Sequence, residues 1–172
     1  RDRGKSWKLI GLKKKTITCL YPVNNDIWCG TWESGLYYFN EIDSIWYKSS
    51  FNFVENIDAL AYSQKSNILF CANKNDGVFK SNDYDTSWYS IGLTKYKTFS
   101  LLALNDVLFA GTWGSGIFIY EENSEWNKVE DNYYSSFNNN KSDSLNDSIK
   151  NVTATIKAPF VSVDITEEKT DT

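Results

Sequence analysis

Three acids, Glu33, Asp58 and Asp76, are the side chains of this sequence best suited by type and context to acid–base work. Glycoside hydrolysis, for instance, uses two carboxylates about 5–10 Å apart, one protonating the leaving oxygen while the other attacks or activates water. Two tryptophans, Trp32 and Trp113, recur in the matching contexts CGTW and AGTW, with Lys74 closing the related CANK between them. An exposed indole offers a flat apolar body and one N–H donor, which suits a sugar ring or a partner's side chain. The plainer role for Trp32 and Trp113 is packing between structural elements. Histidine is absent, so His-based triads, His-ligated zinc and a His general base are excluded within this chain. Asn73-Lys74-Asn75-Asp76-Gly77 lacks the alternating acids and closing Glu of a calcium loop and reads as a turn. No metal and no cofactor are therefore expected. Cys19 and Cys29 fall on neighbouring predicted strands, where either a pair or two small packing residues fits; Cys29, Cys71 and Ala110 share one place in the repeat described next.

The elements that carry these residues are set by an internal period. Trp7, Trp46, Trp88 and Trp126 are separated by 39, 42 and 38 residues. Gly35, Gly77 and Gly116, each ahead of a hydrophobic run, are 42 and 39 apart. Within each unit, short stretches rich in β-branched and aromatic residues are bounded by Asn, Asp, Gly and Ser, the pattern of strands and turns. The predicted strands are 17–21, 27–31, 36–39 and 45–48; then 57–62, 68–72, 78–81 and 87–91; then 99–104, 107–112, 117–120 and 125–129. No sustained 3.6-residue apolar pattern calls for a helix. Four antiparallel strands per roughly 40 residues is the blade of a β-propeller, and a blade buries its two faces only by stacking on neighbours. The expected fold is all-β: a partial propeller of three whole blades (13–50, 51–92 and 93–130) after the last strand of a preceding blade within 1–12. In that arrangement Asp58 lies on an innermost strand with Thr18 and Ser100 as its equivalents, facing the central channel. Cys19 aligns with Ala59 and Leu101. Loops joining second and third strands share a face with the connections between blades, so Trp32, Glu33, Lys74, Asp76 and Trp113 come to one side.

The turn before each tryptophan carries a second pattern. Asp2-Arg3-Gly4-Lys5-Ser6-Trp7 reads D-x-G-x-S-W, and Ser81-Asn82-Asp83-Tyr84-Asp85-Thr86-Ser87-Trp88 reads S-x-D-x-D-x-S-W. These resemble the Asp-box, or BNR repeat, of sialidase, xyloglucanase-like, sortilin and two-component-regulator sensor propellers, over roughly residues 1–130. The turns before Trp46 and Trp126 depart from it: Glu replaces the Asp, and Asp43 or Asn123 stands for the turn glycine. The resemblance implies a structural role for Asp2, Gly4, Trp7, Asp43, Trp46, Ser81, Asp83, Trp88 and Trp126, on the face opposite any ligand. A sialidase also needs an arginine cluster, and arginine occurs only at positions 1 and 3.

Eighteen basic and 22 acidic residues give a net charge of −4, against a nucleic-acid partner. No stretch approaches the roughly 20 apolar residues that span a bilayer. Three cysteines leave the redox compartment open, and an extracytoplasmic setting is the one favoured. After Val129 the composition turns to Asn, Ser, Asp and Lys, which predicts a disordered linker over 131–150; alternation returns in 151–166 ahead of a polar tail. With no Met and three whole blades, the chain reads as a piece of a propeller, exposing edges that missing blades or self-association must cover. The function expected is a non-catalytic binding or sensor module whose upper loops contact protein or carbohydrate. The alternative is a fragment of a secreted glycoside hydrolase.

Overall fold

The computed structural model of the chain describes residues 4–52, 56–84, 86–122 and 124–129, all within the compact unit Arg1–Tyr133. Asp2, Asp85, Asn123 and the expected linker and strands of 131–172 lie outside the described residues. Among the described residues, twelve strands form three four-stranded antiparallel sheets, each in simple meander order. Blade 1 comprises β1 (Thr16–Val23), β2 (Asp26–Trp32), β3 (Leu36–Asn40) and β4 (Ile45–Lys48). Blade 2 comprises β5 (Ala59–Ser63), β6 (Ile68–Asn73), β7 (Gly77–Ser81) and β8 (Trp88–Gly92). Blade 3 comprises β9 (Thr98–Leu104), β10 (Val107–Thr112), β11 (Gly116–Glu121) and β12 (Asn127–Lys128). No helix occurs among the described residues.

The blades bury their faces against one another. Blade 1 presents Val23, Trp28 and Leu36 to Leu60, Leu69, Cys71, Phe79 and Trp88 of blade 2. Blade 2 presents Ala61, Phe70, Ala72 and Val78 to Leu108, Ala110, Phe118 and Tyr120 of blade 3. Period-2 alternation makes this possible, because both faces of the middle sheet are apolar and both are covered. Phe51, in the connection from β4 to β5, fills the first junction with its ring centroid 4.7 Å from Trp88 and 5.3 Å from Phe79. Cys29, Cys71 and Ala110 occupy the same register and are fully buried, and all three cysteines are free thiols. The Cys19–Cys29 pair considered from sequence does not form, and small packing residues are the outcome.

Register corrects two sequence alignments. Cys19 pairs with Gly30, Ala59 with Ala72 and Ser100 with Gly111, so these three residues are equivalent. Leu101 instead matches Leu20 and Leu60, and Ser100 does not match Asp58. Thr18 and Phe99 sit in irregularities of β1 and β9 and take Asp58's place in the other blades. A bulge adds one residue to a strand and slides everything beyond it.

The segment before β1 pairs with no strand among the described residues, yet it stands where a fourth strand belongs. Trp46 Nε1 donates to Ile10 O (3.2 Å), as Trp126 Nε1 donates to Ile91 O of β8 (2.6 Å). Trp7-Lys8-Leu9-Ile10-Gly11-Leu12 and Trp88-Tyr89-Ser90-Ile91-Gly92-Leu93 both read W-x-x-I-G-L, a spacing visible in the sequence. A Cβ at Gly11 would meet the Trp46 ring at 2.4 Å, which is why glycine stands there.

Candidate functional site

The loops after β2, β6 and β10 are built alike. Thr31 Oγ1 donates to Gly35 O (2.6 Å) and Thr112 Oγ1 to Gly116 O (2.7 Å), closing the two G-T-W-x-S-G loops. In blade 2 Asn73 replaces the threonine, and its Oδ1 accepts from the amides of Asn75 (2.6 Å) and Asp76 (2.7 Å). Gly35, Gly77 and Gly116 then turn the chain with φ of 81°, 84° and 83°, values that suit glycine. Each loop touches a connection between strands four and one. The Glu33 amide donates to Asn56 Oδ1 (2.6 Å), the Lys74 amide to Asp58 Oδ2 (2.8 Å) and the Trp113 amide to Lys97 O (2.8 Å). Loops and connections therefore share one face of the molecule, here termed the upper face.

Trp32, Glu33, Asp58 and Lys74 come together at the junction of blades 1 and 2. Lys74 Nζ lies 4.4 Å from the centroid of the Trp32 ring, a cation–π contact across the junction. Trp32 remains 39% exposed beneath it. Asp58 is half-buried, with one carboxylate oxygen engaged by the Lys74 amide. Glu33 holds φ of 61° at an exposed turn position, and Asp76 is exposed in the loop of blade 2. Trp113 is not brought to this group. It stands 74% exposed at the upper end of blade 3, its ring 5.8 Å from that of Phe99. A shallow hollow of about 480 Å³ lies there, lined by Phe99, Ser100, Thr112, Trp113 and Ile117 among others. Phe99 and Asn56 were not singled out from sequence. Phe99 was hidden by the bulge, whereas Asn56 offers no signal beyond its position between blades.

The turns on the opposite face differ in how they are capped. Asp83 Oδ1 accepts from the amides of Thr86 (3.1 Å) and Ser87 (2.9 Å) and from Ser81 Oγ (2.9 Å), while Thr86 Oγ1 donates to Oδ2 (2.5 Å). These donors, led by the Thr86 hydroxyl, hold the Asp83 carboxyl far below the usual carboxylate range. In blade 1 the work is split: Asn40 Oδ1 accepts from the Ile42 and Asp43 amides, and Asp43 Oδ1 from the Ile45 amide (3.1 Å). In blade 3, Ser124 Oγ accepts from the Glu121 amide (3.1 Å). Trp46 and Trp88 each pair across from the last residues of the third strand, Trp88 buried and Trp46 half-buried; Trp126 stacks on Tyr120 with centroids 5.2 Å apart. Trp7 is 93% exposed, and Gly4 turns with φ of 83°.

No family model matches the chain, and no curated protein matches it. Solved structures do resemble it. The WD40 β-propeller domain of Doa1 superposes with a TM-score of 0.57 at 12% identity, over 69% of this chain and 42% of that one. The β-propeller domain of Myceliophteria thermophila Cps50 (Swd1) superposes with 0.56 at 9% identity, over 73% and 42%. The Niastella koreensis GH74 enzyme superposes with 0.52 at 16% identity, over 60% and 19%. The chain thus has the β-propeller fold, and it spans less than half the length of each structure it matches. No helix among the described residues is long and apolar enough to cross a membrane.

Proposed function

We propose that this chain is a non-catalytic binding module of the propeller class, holding a carbohydrate or protein ligand on its upper face. The observation that carries the reading is the aromatic hollow at Trp113, where an indole 74% exposed stands beside Phe99 above Ser100 and Thr112. Large apolar surface left in water beside hydroxyl groups marks a contact site. The cation–π pair of Lys74 on Trp32 extends the same face toward blade 1. Asp2, Asp43 and Asp83, with their tryptophans, are read as structural corners of the Asp-box kind. The Asp83 turn supports this with its full set of amide and hydroxyl donors. Tryptophan fluorescence and calorimetry against a panel of soluble oligosaccharides and peptides test the module. Trp113→Ala is expected to abolish binding of any ligand found, and Trp7→Ala, at an indole still more exposed elsewhere, to leave it intact. Equal loss in both, or in neither, refutes the site.

The second reading, a slice of a glycoside hydrolase, is favoured by the GH74 neighbour and by Asp58 at the upper inner edge. It requires a second carboxylate facing Asp58 across a cleft. Reducing-end release from xyloglucan oligosaccharides, lost in Asp58→Asn, would establish it.

A further inference from the structure

The charges of the described residues are unequally divided between the two faces of the molecule. Eight lysines stand on the upper face, against three acids, Glu33, Asp58 and Asp76. Lys13, Lys14 and Lys15 lie in the connection that enters β1, Lys95 and Lys97 in the connection that enters β9, and Lys74 in the loop after β6. Lys48 and Lys128 close β4 and β12, strands that run up from the turns of the opposite face. Those lower turns carry the reverse sign. Asp26, Asp83 and Asp106 are joined there by two acids of the β3–β4 turn and three around the β11–β12 turn. Lys65 and Lys80 on that side are each held by an acid, Lys65 by Asp106 (2.6 Å) and Lys80 by Glu122 (3.2 Å). None of the eight upper lysines makes an ion pair among the described residues. A net charge of −4 is a sum and hides this division.

Two of the upper lysines border the hollow at Trp113. The carbonyl of Lys97 accepts the Trp113 amide. Lys128 reaches Gly116, which lines the hollow and where an added Cβ would stand 3.8 Å from the lysine Cε. The three upper acids belong to blades 1 and 2, away from this rim. Within the hollow, Phe99, Trp113 and Ile117 stand with Ser100, Thr112 and two glycines, and no amide, carboxylate or guanidinium side chain is among them. A sugar stacked on the indole would find few groups to fix its hydroxyls, and Thr112 already gives its hydrogen to Gly116 O. The hollow suits an apolar side chain, and its rim suits carboxylates. Arginine, the usual bidentate partner of phosphate and sulfate, is missing from the described residues. We propose that the upper face docks an acidic segment of a partner protein. An apolar side chain of that segment sits in the Trp113 hollow, and carboxylates beside it meet Lys97 and Lys128. This docking rests on the hollow being the contact site, and adds to it the class of partner.

Fluorescence anisotropy of a fluorescein-labelled peptide, a central Phe flanked on each side by alternating Glu and Asp, tests the docking on the full 172-residue chain. Saturable binding is expected, weakening as salt rises from about 0.05 to 0.3 M. Lys97→Gln with Lys128→Gln is expected to weaken it roughly tenfold. Lys65→Gln, on the opposite face, is expected to leave it unchanged. Replacing the peptide's acids by their amides, or its Phe by Gly, is expected to abolish binding. Absence of binding, or equal binding of the amide peptide, overturns the proposal. So does tighter binding of a heparin oligosaccharide or a single-stranded oligonucleotide. If a neutral oligosaccharide or the amide peptide binds instead and is lost in Trp113→Ala, the hollow stands as a contact site and only its acidic partner falls. Acid-dependent binding indifferent to Trp113→Ala removes the hollow from both.

Discussion

Phe51→Ala is the substitution that bears most directly on the stacking of the blades. The ring is 2% exposed and lies in no strand, yet it touches Phe79 and Trp88 of blade 2 from the segment that leaves blade 1. Its removal loses the transfer energy of a buried aromatic and leaves a cavity between two sheets held by their own hydrogen bonds. Such truncations cost about 3–5 kcal/mol. For a unit of this size that is a fall in Tm of roughly 10–20 °C. Phe51→Leu retains most of the volume and is expected to cost about 1–1.5 kcal/mol. Ile42→Ala, at a turn tip almost wholly in solvent, is expected within about 0.5 kcal/mol of wild type. Urea unfolding followed by tryptophan fluorescence measures all three at one fixed protein concentration, since association shifts the midpoint. If Phe51→Ala unfolds within about 1 kcal/mol of wild type, the two sheets do not bury one another through this residue. The account of the first junction then fails.

Other outcomes follow from the same geometry. Asp83 has its folded pKa depressed by its turn donors, so its contribution is present above the unfolded value of ~3.9 and is lost as pH falls toward the folded one. The stability gap between wild type and Asp83→Asn is therefore expected to be constant from pH 5 to 7 and to shrink below about pH 4, measured by urea midpoints across that range. Gly77→Ala would place a Cβ 2.2 Å from Gly92 O at φ of 84°, whereas Gly114→Ala at φ of 73° meets nothing within 4 Å. The first is expected to cost several kcal/mol and the second about 1–2 kcal/mol in chemical unfolding. Burial pushes the Cys29 thiol up to about 11 and raises Cys71 and Cys19 as well. At pH 8 a thiol reagent is expected to label Cys29 and Cys71 only after denaturant is added, read by mass spectrometry of the labelled peptides.

The period was legible because it rests on residues with few substitutes. An indole at each outer corner and a left-handed glycine after each G-T-W or A-N-K keep their types even where the intervening strands change. Strand positions followed, since a strand covered on both faces reads as a short unbroken apolar run between turn residues, as in β6, buried along its whole length. The bulges at Thr18 and Phe99 were not legible. A bulge changes no composition and interrupts alternation by a single residue, so Ser100 was read one place out of register. Corner capping was legible only in part: Asp83 fits a motif, but in blade 1 the turn amides are divided between Asn40 and Asp43, a division no single-residue pattern encodes.

Register also bears on the choice between recognition and catalysis. The upper inner position holds Thr18, Asp58 and Phe99 in the three blades, so an acid there belongs to one blade alone. Repetition does not supply the second carboxylate that hydrolysis needs, and the acid present already accepts a loop amide. The position that repeats in kind is the one after the second strand, where Trp32, Lys74 and Trp113 stand in succession. Two indoles and a cation at one register, on the face where loops and connections meet, are the groups on which the proposed binding role rests. Mutations along that line are accordingly expected to alter what the chain holds before they alter anything it cleaves.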